Sequence, residues 1–316
     1  MKKIFSRKAT FAAMAFALTS GAALAADLPH YKAPPPPPPP PPPMWTGFYV
    51  GLNAGGTWSN SNSVWTTSAP IFALGGGAAT TLYAANSALG ASGVSPGQTS
   101  GFIGGGQIGY NWQFYNSFVA GVEADIQGVA SSNSNTTVAT AVGAFPFIGA
   151  AEVLVTGITT SKRLDYIGTV RGRLGWLFTP TLLVYGTGGL AYGGVSVSTG
   201  ITQFNNDCVQ FPGACLAPAA FSSGAFSDTR VGWTAGGGLE WMFWPNWSAK
   251  VEYLYYDLGN VSYSAGVLAT GGNTLFAGSI AAAVVSQSTT RFNGNIVRAG
   301  VNYHFNWGAP PIVAKY

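Results

Sequence analysis

Few residues in this chain are of a type that could do chemistry, and their placement narrows the chemistry open to them. The 316 residues hold two histidines, His30 and His304, and two cysteines, Cys208 and Cys215. General acid–base work usually needs a positioned histidine. His30 precedes a run of prolines and His304 lies near the chain end, so no triad-like set converges and no enzyme is expected. The cysteines sit close together in one polar segment without neighbouring metal ligands, so no metal site is expected. They read as a small loop disulfide of an exported protein, against two idle thiols. Gly104-Gly105-Gly106-Gln107-Ile108-Gly109 matches a dinucleotide fingerprint literally, yet no helix follows, and no cofactor is implied. What remains is a set of charges: Glu123, Asp125, Arg171, Arg173, Glu240, Lys250, Glu252 and Arg298.

The elements that position these charges are β-strands. In Ser161 to Phe178 the even positions read Leu164, Tyr166, Gly168, Val170, Gly172, Leu174, Trp176, Phe178. The odd positions include Arg163, Asp165, Thr169, Arg171 and Arg173. Period-two alternation gives a strand with one apolar and one polar face. Here the apolar face ends in Trp and Phe just before a tight turn, Phe178 to Thr181. Hydrocarbon selects such a face, with the polar side turned into a closed barrel.

The alternation recurs in eight segments, about 46–58, 101–112, 117–130, 161–178, 181–198, 229–243, 246–260 and 291–305. Long connections (59–100, 131–160, 199–228, 261–290) alternate with tight ones (113–116, 179–180, 244–245). The expected fold is therefore all-β: an eight-stranded antiparallel transmembrane barrel over 45–307, long loops on one side and short turns on the other. Segments such as Glu152 to Thr160 still alternate, so strands are expected to continue beyond the membrane. Trp45, Trp112, Trp176, Trp241, Trp244, Trp247 and Trp307 fall at chain ends or tight turns. With Phe305 they predict an aromatic girdle at that interface.

Residues 1–25 carry a secretory pattern: Lys2, Lys3, Arg7 and Lys8, an apolar Phe11–Leu18, then Ala23-Leu24-Ala25. Removing those four basic residues from fourteen leaves ten Lys and Arg against ten Asp and Glu, so nucleic-acid binding loses its compositional support. Charged residues make up only 8% of the chain, far from the roughly 25% of soluble domains. Residues 26–44 form a linker whose ten prolines, Pro34 to Pro43, adopt polyproline II over roughly 30 Å. Residues 308–316 form a tail in which Pro310 and Pro311 block strand pairing.

Parity puts Phe48, Val50, Leu52, Ile108, Tyr110, Val122, Ile126, Leu239, Val251, Val297 and Val301 outward. It puts Asn53, Gln107, Asn111 and Asn302 inward with the eight charges, four acidic and four basic. An eight-stranded interior is just wide enough for side chains. An uncompensated charge there costs several kcal/mol. An ion-pair network that plugs the lumen is expected, against a water-filled interior with loosely paired charges. Lys162, Arg163, Arg230 and Arg291 mark where long loops re-enter the barrel. They could meet lipopolysaccharide phosphates; a solvated rim is the equal alternative.

Several blocks resemble the porin-like outer-membrane immunogenic proteins of Gram-negative bacteria, whose barrel is similar to the OmpA transmembrane domain. These are the secretory segment with its ADLP and proline linker, Thr46 to Gly51 (TGFYVG), Asp165 to Trp176 (DYIGTVRGRLGW), Tyr185 to Tyr192 (YGTGGLAY) and Val301 to Phe305 (VNYHF). The resemblance covers nearly all of 45–305. It implies the cell outer membrane, a surface-exposed barrel supporting envelope integrity, and no catalytic residues. Its partners would be outer-membrane lipid, lipopolysaccharide and the barrel assembly machinery, which reads a terminal aromatic, here Phe305 or Tyr316. The linker could carry the N-terminus to peptidoglycan. A small diffusion channel and a loop-mediated adhesin or ligand-binding protein are the competing expectations.

Overall fold

The structure, a computed structural model, describes residues 44–131, 134–144, 151–205, 220–271 and 280–305. The secretory segment, the proline run, Cys208, Cys215, Trp307 and the tail lie outside the described residues.

The strands are β1 (Gly47–Ser59), β2 (Ser63–Ala73), β3 (Gly93–Pro96), β4 (Ser100–Phe114), β5 (Phe118–Ser131) and β6 (Ser134–Ala144). They continue as β7 (Ala151–Thr179), β8 (Leu182–Asn205), β9 (Ala220–Trp244), β10 (Trp247–Ser264), β11 (Leu268–Gly271) and β12 (Ile280–Phe305). One helix, α1 (Ala78–Gly90), separates β2 from β3. Hydrogen bonding runs β1-β4-β5-β7-β8-β9-β10-β12, and β12 pairs back onto β1, closing a ring of antiparallel strands. Ring closure satisfies every strand edge internally, which hydrocarbon demands. Tight turns join β4 to β5, β7 to β8 and β9 to β10; in the first, Tyr115 and Asn116 take φ of +48° and +60°.

The strand count differs from expectation. Eight strands form the ring, but twelve are present among the described residues, because β2, β3, β6 and β11 lie within segments read as loops. β6 pairs onto the far end of β7, β2 and β11 pair onto that of β12, and β3 pairs onto β2; β7 itself runs 29 residues. In β6, SNTTVATAVGA, small and hydroxyl residues occupy both faces, so no apolar–polar contrast marks the strand. A folded extension thus stands on the long-connection end of the ring.

The interior is layered. Nearest the tight turns, Trp45, Val119, Leu177, Leu183, Tyr185 and Met242 form an apolar cluster. The eight charges lie above it, and above them Ile103, Leu164, Ile167, Leu254, Leu258, Phe292, Ile296 and neighbours form a second apolar cluster. In the extension, α1 packs Tyr83, Ala84 and Ala88 against Leu154, Ile201, Leu268 and Val284. Its Ser87 donates to Gln203, which donates in turn to Thr156.

Two β-bulges turn the strands over between charged layer and extension. On β7 the register shifts between Leu164 and Tyr166, so Asp165 is extra and faces outward. Below it odd residues face inward; above it even ones do. Leu164, read as part of the outer apolar face, is therefore inside at 2% exposure. On β10 the shift falls between Asp257 and Asn260, where Gly259 takes φ of +82°. A side chain at that φ meets a steric penalty that glycine avoids.

Candidate functional site: the charged interior layer

Strand register brings the charges to one height. Glu123 stands directly opposite Arg171, Lys250 opposite Glu240, and Glu252 opposite Arg298. Arg171 spans the ring: it pairs with Glu123, with Asp125 at 2.9 Å and with Glu252 at 2.9 Å. Arg298 holds Asp125 at 2.9 Å and Glu252 at 2.6 Å. Lys250 reaches Glu123 at 2.9 Å and Arg173 reaches Glu240 at 2.6 Å. All eight residues are buried. Charge-assisted bonds of this density satisfy most donors and acceptors, which a buried ion pair requires.

Two tyrosines that the sequence reading passed over complete the layer. Tyr49 donates to Glu123 at 2.6 Å and accepts from Arg173 at 3.0 Å. Its ring lies over Gly109, where a Cβ would come within 2.4 Å of the phenol. Tyr185 donates to Glu252 at 3.1 Å while its ring faces the Arg173 guanidinium at 4.4 Å. Inward parity was their signal, but an inward aromatic reads as filler.

Below, Asn53 donates to Gln107, Gln107 to Asn302, and Asn302 to Glu240. Ser248 donates to Glu240 and meets His304 Nε2 at 2.8 Å. Glu240 lies on that same nitrogen at 3.4 Å. A nucleophilic relay needs serine and carboxylate on opposite nitrogens of the ring. This set is buried beneath the charges, a packed network with no room for substrate.

The four rim cations do not share one exposed face. Lys162 contradicts expectation: the bulge at Asp165 turns it inward to 1% exposure. It donates to the carbonyls of Ser61 at 2.9 Å and Arg291 at 2.7 Å and sits over Phe292 at 4.7 Å. Its outward neighbours Arg163 and Asp165 are charged and exposed, so this stretch stands clear of the apolar band. Burial without a carboxylate pushes its ammonium down to about 8. Lys162 is thus no lipopolysaccharide contact. Arg230 is half-buried and donates to Asn260 O, and Arg291, 51% exposed in its side chain, pairs with Asp257.

Outside, Leu52 (74%), Val122 (61%), Val170 (53%), Leu174 (61%) and Leu239 (51%) expose a continuous apolar band. Toward the tight turns it ends in Trp112, Trp176, Trp241, Trp244 and Trp247, all exposed, with Phe305 half-exposed. Trp45 departs from that girdle: at 1% exposure it closes the interior, donating from its indole to Pro180 O at 3.0 Å.

Comparison with known proteins gives matches at three levels. A family model for the outer membrane protein beta-barrel domain matches residues 11–305. The 31 kDa outer-membrane immunogenic protein of Brucella melitensis is 42% identical over 160 residues, half of this chain and 55% of that protein. The 22 kDa outer membrane protein of Rhizobium leguminosarum is 31% identical over 177 residues, 53% of this chain and 61% of that protein. The chain thus spans little more than half the length of the curated relatives it matches. Among solved structures, the outer membrane protein OprG from Pseudomonas aeruginosa aligns over 82% of this chain and 97% of its own, at 12% identity and a TM-score of 0.33.

Proposed function

The chain belongs to the outer-membrane β-barrel protein family, and from that premise we propose that it is a non-conducting structural barrel of the outer membrane. In this reading the eight ring strands span the bilayer. The tight turns face the periplasm, and the extension with α1 stands at the cell surface. It is no enzyme. One observation carries the reading: the paired charges lie between two apolar clusters, with Trp45 beneath and α1 above. A hydrated ion entering that layer would have to break buried pairs and shed its water, each costing several kcal/mol.

Envelope support is testable in cells. Deleting the gene is expected to raise sensitivity to detergent and to large antibiotics, and the full-length protein is expected to restore resistance. Unchanged sensitivity in the deletion strain would remove the structural role.

A second reading, surface binding by the extension, is favoured by Trp65 and Val94. They pair across β2 and β3 and are exposed at 61% and 44%, far from the apolar band. Ile71 and Phe72 on the same strand β2 are exposed as well, and contiguous exposed apolar surface marks contact sites. Loss of host-surface or matrix adhesion on Trp65→Ser, with barrel folding intact, would support it.

A further inference from the structure

Among the described residues, seven buried side-chain atoms lack a protein hydrogen-bond partner, and six of them gather at two places in the charged layer. Buried polar groups are nearly always satisfied by protein or by ordered water. The first place is the row Asn111, Gly121, Arg173 across β4, β5 and β7. A Cβ on Gly121 would lie 2.5 Å from Asn111 Oδ1 and 3.2 Å from Arg173 Cγ, so the two side chains converge over a residue that has none. Both atoms of the Asn111 amide and Arg173 Nε are unpartnered there, at 0% and 4% residue exposure.

The second is the row Asn53, Gly105, Gln127 across β1, β4 and β5, again with glycine between two polar side chains. Gln127 and Arg298 meet on Asp125, at 3.0 and 2.9 Å. Asn53 Oδ1, Gln127 Oε1 and Arg298 Nη1 are unpartnered.

The chemistry of the two sets selects the ligand. Each combines donors and acceptors, where an anion would want donors alone and a cation acceptors alone. The charged layer is already neutral, with four carboxylates against four cationic side chains, so an ion would add an unbalanced charge to it. We propose that the charged layer contains two built sites for internal water, one at Asn111–Gly121–Arg173 and one at Asn53–Gln127–Arg298. Each water bonds to two or three of the unpartnered atoms, within the usual range for internal water. The apolar clusters on either side hold these waters apart from both compartments, so they exchange slowly and carry no current. The inference concerns the lumen's chemistry and stands whether or not the protein supports the envelope.

The test is water-selective magnetisation transfer in the full-length barrel refolded in deuterated micelles. Cross-peaks of long-lived water to the Arg173 Nε proton and the Asn111 amide protons are expected. Asn111→Leu, which keeps the volume and removes two of three partners, is expected to abolish the Arg173 cross-peak while unboiled gel mobility still reports a folded barrel. Wild type without these cross-peaks overturns the proposal, whatever the variant does. So does an anomalous bromide peak at either site in crystals soaked with that halide, which would make it an anion site.

Discussion

At the residue scale, the layer's stability rests on charges that cannot be removed singly. Arg171 is bonded to three carboxylates, and its replacement strands all three in a buried interior. Arg171→Met is expected to cost about 3–5 kcal/mol, read as a lowered urea midpoint of the protein in lipid vesicles. Arg163→Ala, at an exposed site, is expected to stay within about 0.5 kcal/mol of wild type in the same assay. Lys162 gives a prediction of opposite character. Its folded pKa of about 8 lies below the ordinary lysine value of 10.5. Between those two values the unfolded chain binds the extra proton, so stability rises with pH across that window. The burial cost, roughly 3 kcal/mol at neutral pH, is relieved as pH passes from 8 to 10.5. Lys162→Met is expected to be the more stable protein at pH 7 and to lose that pH dependence in urea titrations. A steeper dependence in the variant would contradict the assignment.

At the element scale, the bulges connect two structures of opposite parity. Deleting Asp165 restores strict alternation along β7. It leaves Leu154, Thr156, Ile158 and Lys162, all buried, on the inside, because Leu164 then takes the inward place next to Tyr166. The ring is expected to fold, seen as the usual mobility shift on boiling, and protease applied to intact cells is expected to leave the extension as resistant as in wild type; a cut extension would contradict the bulge assignment. Gly259→Ala, at φ of +82°, is expected to cost about 1–2 kcal/mol. These elements also mark what the sequence makes legible. Val170, Gly172, Leu174 and Trp176 against Thr169, Arg171 and Arg173 state their faces outright, because lipid outside and charge inside give maximal contrast. In β6 the faces carry similar small residues and the contrast vanishes. The helix α1 is hidden likewise: AATTLYAANSALG has good helix formers but neither charge nor a capping side chain to mark its ends. Asp165 carries no local bulge signal, so strict alternation alone places Leu164 and Lys162 on the wrong side.

At the scale of the whole molecule, the ring, the charged layer and its two apolar seals amount to one claim: the outer-membrane barrel is filled. Ring closure follows from β1 pairing with both β4 and β12. The filling follows from an eight-stranded circumference, whose interior side chains suffice to occupy. Single-channel recording of the purified full-length protein in planar bilayers tests that claim most directly. The account predicts a flat baseline at moderate voltage, with steady steps appearing only when the charged layer is broken, as in an Arg171→Ala, Arg298→Ala double variant that still folds. Steady, sizeable steps from the wild-type protein would contradict it.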